Sequence, residues 1–138
     1  MRKVLIAVLL AMVAMPVFAA MPVVRSWYSG VSFETDGVFR FSVEGLLFPS
    51  TAPLNGGFRA VSTSQGSAIV YPLFLRGRAG VLSLEAGAGY GVENRSFEIY
   101  AMPAFSLSFG TVGVMIGIPV TYGGDGFLVG IETALTLN

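Results

Sequence analysis

Two-residue alternation, sustained over most of the chain beyond residue 25, limits what this sequence can fold into more than any other feature. Over 81–93, Leu82, Leu84, Ala86, Ala88, Tyr90 and Val92 share one face, while Ser83, Glu85, Gly87, Gly89, Gly91 and Glu93 share the other. Over 111–122, Val112, Val114, Ile116, Ile118, Val120 and Tyr122 oppose Gly113, Met115, Gly117 and Thr121. Successive side chains of a strand point to opposite faces, so this period is that of a β-strand. The pattern also runs through 38–48, where Phe39, Phe41, Val43 and Leu47 oppose Arg40, Ser42 and Glu44, and through 96–109 and 127–137. Glycine, 18 of 138 residues, disfavours helices throughout. Beyond the amino-terminal segment no run is apolar and long enough for a membrane-spanning helix.

Turn-forming clusters separate the alternating runs: Thr35-Asp36-Gly37, Gln65-Gly66-Ser67, 77–80, Glu93-Asn94-Arg95, Phe109-Gly110-Thr111 and Gly123-Gly124-Asp125-Gly126. They divide the chain into eight strands: 26–34, 37–48, 57–64, 67–76, 80–93, 95–109, 111–122 and 126–137. The alternation is mixed over 57–76, and 49–57 is the only long connection. Pro72, Pro103 and Pro119 fall inside these strands, where each removes a ladder donor. They mark bulges or strand ends, or else the strand count changes.

Residues 1–19 read as a cleaved export signal. Arg2 and Lys3 form a short basic region, 4–13 is apolar, Pro16 ends the run, and Val17-Phe18-Ala19 suits a signal peptidase. Cleavage is expected after Ala19, with Ala20 as the near alternative, leaving one domain over 20–138. That domain has no lysine, because Lys3 is the only one; it keeps six arginines and eight carboxylates. A soluble exported domain covers its surface with charge. Over the whole 138-residue chain only 12% of residues are charged and 54% are hydrophobic, so the outside is not designed for water.

These features suit an all-β, antiparallel up-and-down transmembrane β-barrel of about eight strands with short turns. Lipid cannot hydrogen-bond a free sheet edge, so the sheet must close. The large apolar face then meets lipid, and the glycine-rich face lines a lumen just wide enough for side chains to fill. On this register Arg40, Glu44, Glu85, Glu98 and Glu132 point inward, and Arg59 is placed with them. Inward charges are costly unless paired, so these six are expected to form a structural Arg/Glu network. Aromatics near the strand ends form two girdles. Trp27, Tyr28, Phe48, Phe58 and Phe109 fall at one rim; Phe33, Phe39, Tyr90, Phe97, Tyr122 and Phe127 fall at the other.

The same inventory excludes much chemistry. No cysteine means no disulfide or thiolate site, and no histidine removes the commonest base and metal ligand. Gly87-x-Gly89-x-Gly91 lacks the spacing of a nucleotide loop, and Gly123-Gly124-Asp125-Gly126 has too few carboxylates for calcium. A zero formal charge gives nucleic acid no footprint. No catalytic residue, cofactor or metal is expected. A Glu85–Glu98 pair on neighbouring strands is read as lumenal packing, not acid–base machinery.

Residues 20–138 resemble the small bacterial outer-membrane β-barrels, of the eight-stranded kind seen in the transmembrane domain of outer-membrane protein A. The resemblance rests on strand pattern. Residues 130–137 are similar to the carboxy-terminal assembly signal of such barrels, although the chain ends Leu137-Asn138 and not in Phe or Trp. It implies an outer-membrane location, membrane lipid and the outer-membrane assembly machinery as partners, and a structural or membrane-integrity role. Enzymes among such barrels generally rely on histidine, which is missing here. Two alternatives stay open: a soluble exported barrel holding an apolar ligand inside, with the faces reversed, and a narrow or oligomeric pore.

Overall fold

A computed structural model of the chain describes residues 2–4, 6, 24–93, 95–124 and 126–138. The expected export signal and its cleavage point lie almost wholly outside these residues, as do the turn residues Asn94 and Asp125.

Among the described residues nine strands follow in order: β1 (Ser26–Glu34), β2 (Phe39–Leu46), β3 (Leu54–Thr63), β4 (Ala68–Ala79), β5 (Leu82–Gly91), β6 (Phe97–Phe109), β7 (Val112–Gly117), β8 (Val120–Gly123) and β9 (Gly126–Leu137). Neighbours pair antiparallel from β1 to β6. Both β7 and β8 then lie between β6 and β9, and β9 returns to β1. β7 and β8 are thus two halves of one stave, and the sheet is a closed eight-stave barrel. Closure brings Trp27 opposite Leu137 at the end where β1 begins and β9 finishes, called the lower end below.

Each of the three strand prolines sits at an irregularity, and the stave count holds. Pro119 interrupts the seventh stave, expected to be continuous over 111–122. A proline cannot donate to the ladder, and Pro103 on the facing stave lacks the same donor. The break stays in register because Ile118 N donates to Pro103 O and Gly130 N donates to Pro119 O, both at 2.9 Å. Pro72 lies in a register shift between Val70 and Leu73 on β4. The same extra residue of β4 shows on its other side, where Gly57 and Arg59 of β3 face Phe74 and Tyr71, so one bulge accounts for both shifts. A bulge adds a residue to one strand and reverses its inside–outside parity. Ile69 and Tyr71 accordingly point inward before Pro72, and Phe74 and Arg76 after it. This explains the mixed alternation over 57–76. Two boundaries also move by three residues. β3 begins at Leu54, before the expected 57, and β4 continues to Ala79, which shortens the expected 77–80 turn to Gly80-Val81. Gly80 and Gly110 take φ of 60° and 66°, the left-handed conformation that opens each of these two-residue links.

The large apolar residues stand on the outside of every stave, among them Phe41, Leu75, Leu84, Ile99, Ile116 and Ile131. The aromatic girdles are present with one correction. Phe33 packs on Phe39 and Tyr90 on Phe97 at the upper rim, with ring centroids 5.0 and 5.7 Å apart; Trp27 meets Phe58 at the lower. Tyr28 belongs to neither girdle. It is fully buried in the lumen, on the same parity as Ser26, Ser32 and Glu34.

Candidate functional site: the lumenal charge network

The inward face is built from small residues because large polar ones lie across it. A Cβ on Gly87 would come within 2.7 Å of the Tyr100 ring, and one on Gly89 would overlap the Tyr71 ring. Gly117 leaves room for Met102, and Gly130 for Glu34. The glycine stripe of β5 therefore seats two tyrosines that pack edge to face, centroids 4.5 Å apart.

At mid-barrel, five charged side chains from five staves form one connected group. Arg59 (β3) bridges Glu44 (β2) at 2.7 Å and Glu132 (β9) at 2.6 Å. Arg76 (β4) bridges Glu44 at 3.0 Å and Glu85 (β5) at 2.6 Å. Glu44, fully buried, accepts from both arginines. Hydroxyls occupy further carboxylate lone pairs: Tyr28 donates to Glu132 and Tyr100 to Glu85, each at 2.6 Å, and Ser42 donates to Glu132 at 3.1 Å. The guanidiniums also lie against aromatic faces, Arg59 over Tyr100 at 5.2 Å and Arg76 over Tyr28 at 5.6 Å.

A second group lies nearer the upper end. Arg40 pairs with Glu34 at 3.4 Å and with the turn residue Asp36 at 2.8 Å. Tyr71 donates to Glu98 at 2.6 Å. Asp36 is the one ionisable member outside the strands; its hydrogen bonds from Arg40 hold its carboxyl below the usual carboxylate range. Between the groups, Glu34, Arg40, Arg59, Tyr71, Glu98 and Thr121 line a cavity of about 10 Å³, no more than one water requires.

All six expected network residues point into the lumen, but they do not form one cluster. Glu44, Arg59, Glu85 and Glu132 meet at mid-barrel, whereas Arg40 and Glu98 belong to the upper group. Sequence reasoning missed Arg76, which completes the central group, because the Pro72 bulge hides its parity. It also missed Glu34, Tyr28, Tyr71 and the partnering role of Tyr100. Strict alternation over 26–34 was the signal that marked Tyr28 and Glu34 as inward.

Leu46, Phe74, Met102, Ala104, Met115 and Ala134 are buried beside the central group, in one cluster with the lumenal tyrosines. The 47–53 connection folds over the lower mouth. Asn55 holds Phe48 N and the carbonyls of Phe48 and Pro49; Ser50 bonds Asn138 at 2.7 Å; Arg78 donates to Ser50 O at 3.0 Å. Among the described residues no group of three carboxylates is placed to hold a metal ion.

No family model matches the chain, and no curated protein matches it. Among solved structures it is similar to a barrel from work on the de novo design of transmembrane β-barrels, with a TM-score of 0.61 and 12% identity over 85% of this chain and 96% of that one. At that identity the likeness concerns the fold. This chain is a closed eight-stave antiparallel barrel with an Arg/Glu network inside it, similar in fold to a transmembrane β-barrel from design work.

Proposed function

We propose that the chain is an integral outer-membrane β-barrel with a structural or membrane-integrity role, exported under the signal at 1–19 into a Gram-negative-type envelope. One observation carries the reading: the wall is inverted, with exposed large apolar side chains on every stave and ion pairs filling the lumen. Soluble monomers rarely expose large contiguous apolar patches. Lipid accepts such a wall, and barrel closure satisfies the backbone groups that lipid cannot. The inversion also speaks against a soluble carrier, whose apolar face would line a ligand cavity. The packed lumen speaks against a pore, since Arg59, Arg76 and their carboxylates cross it at mid-height. In this reading the partners are membrane lipid and the assembly machinery, and the chain has no catalytic role.

The test is fractionation of inner and outer membranes, followed by gel mobility of detergent-extracted protein, boiled and unboiled. Outer-membrane protein whose unboiled band migrates differently, and which gives no steady conductance in planar bilayers, is the expected result. Soluble periplasmic protein without a heat-dependent shift would overturn the membrane reading. Reproducible conductance steps would replace the structural role with that of a narrow or oligomeric pore.

A further inference from the structure

The two rims differ in charge. Among the described residues the lower rim carries Arg25 and Arg78 and no Asp or Glu side chain, whereas the upper turns carry Asp36 and Glu93 beside a single arginine, Arg95. Arg40, Arg59 and Arg76 are all ion-paired. Arg78 forms no ion pair with a described carboxylate, and its guanidinium donates to the carbonyls of Gly80 and Ser50 at 2.8 and 3.0 Å.

Arg78 borders an open groove of about 900 Å³ on the outer wall near the lower rim. Two rows cross it through the ladder, Gly77–Leu84–Pro103 and Ala79–Leu82–Phe105–Ile116. Gly77 and Ala79 bring little bulk to its β4 side, beside exposed Leu82, Leu84, Phe105, Ile116 and Ile118. The far side reaches the broken stave, where Pro103 and Pro119 leave the ladder short of donors.

We propose that this groove is a binding site for an anionic phospholipid, its phosphate beside Arg78 and an acyl chain across the Leu84–Ile118 surface. The inference rests on the membrane reading above. Charge complementarity selects the occupant: a guanidinium without a described carboxylate partner, at a rim without Asp or Glu among the described residues, at the edge of an apolar groove. One arginine at an anionic surface favours such a lipid by about fivefold.

The test places a tryptophan in the groove, Leu84→Trp in a Trp27→Phe background, with Val31→Trp on a different part of the wall as reference. The folded barrel is reconstituted in phosphatidylcholine vesicles containing phosphatidylglycerol, with bromine on the chains of one lipid or the other. Preferential quenching at position 84 by brominated phosphatidylglycerol, by about fivefold over phosphatidylcholine, is the expected result. The preference should vanish in Arg78→Gln, persist in Arg78→Lys and in Arg25→Gln, and weaken with salt. Equal quenching by both lipids at position 84 overturns the site and leaves the membrane reading intact. Weak quenching at 84 by either lipid, with strong quenching at 31, overturns it in favour of a second copy covering the groove. No quenching at either position defeats the membrane reading itself.

Discussion

Arg59 grips Glu132 with both terminal nitrogens, at 3.1 and 2.6 Å, across 73 positions of sequence and from the third stave to the last. Both side chains are buried and both have further partners, Glu44 for the arginine and Tyr28 and Ser42 for the carboxylate. Two-pronged pairs fix orientation as well as distance, so this contact holds the closing stave against the middle of the sheet. Removing one member of a buried pair costs about 3–5 kcal/mol, mostly because the other charge is left uncompensated. Arg59→Met should lower the urea midpoint of the vesicle-folded barrel accordingly. Arg59→Met combined with Glu132→Leu should cost less than the sum of the single changes. A strictly additive pair would mean that the two groups are not coupled.

The outer wall should show a depth dependence that only lipid imposes. Ile116 is 58% exposed well inside the seventh stave, whereas Phe109 stands at the lower rim. An arginine on the lipid face costs about 2–4 kcal/mol at the midplane and about 0–1 near the interface. Ile116→Arg should therefore impair insertion into vesicles much more than Phe109→Arg. Equal, small effects would indicate that the wall faces water.

Gly89 and Gly77 lie on opposite faces of the sheet and should respond oppositely to a methyl group. A Cβ at Gly89 overlaps the Tyr71 ring and comes within 2.5 Å of Val70 O, while one at Gly77 meets nothing within 4 Å. Overpacking of this kind costs about 1–3 kcal/mol. Gly89→Ala should lower the unfolding midpoint, and Gly77→Ala should leave it unchanged or raise it by restricting the unfolded chain.

Asp36 gives the barrel an acid-dependent component at its upper turn. Hydrogen bonds from Arg40, helped by one from Val38 N, depress its carboxyl in the folded state. A depressed folded value means that the stabilisation is complete above the unfolded value of about 3.9 and is lost as pH falls through the lower folded one. The difference in unfolding midpoint between wild type and Asp36→Asn should be constant from neutral pH to about 4 and shrink below it. A difference that first grows as the solution is acidified would reverse the sign assigned to this pair.

Much of this molecule is legible in its alternation. The strand class, the eight staves and the inward placement of Arg40, Glu44, Arg59, Glu85, Glu98 and Glu132 all follow from a period of two, which any strand obeys whatever it pairs with. Tyr28 shows how a second rule misleads: an aromatic near a strand start suits an interfacial girdle, yet parity places it with Ser26 and Ser32, and parity decided. Arg76 was beyond that method, because a bulge is defined by two residues facing one on a neighbouring strand. Pro72 announces a disturbance without saying whether it is an end, a kink or a change of parity.

The sequence by itself determined a sheet with one apolar and one polar face, cut by turns into lengths that suit a membrane. Only the tertiary structure decided how those faces are used. Closure of β9 on β1 set the lumen width, and that width decided which charges meet: Glu132 with Arg59, and Arg40 with its own turn instead of the centre. Alternation is a property of each residue and its nearest neighbours in the chain. A pairing between positions 59 and 132 depends on stave order and barrel radius together, and no local pattern carries that information.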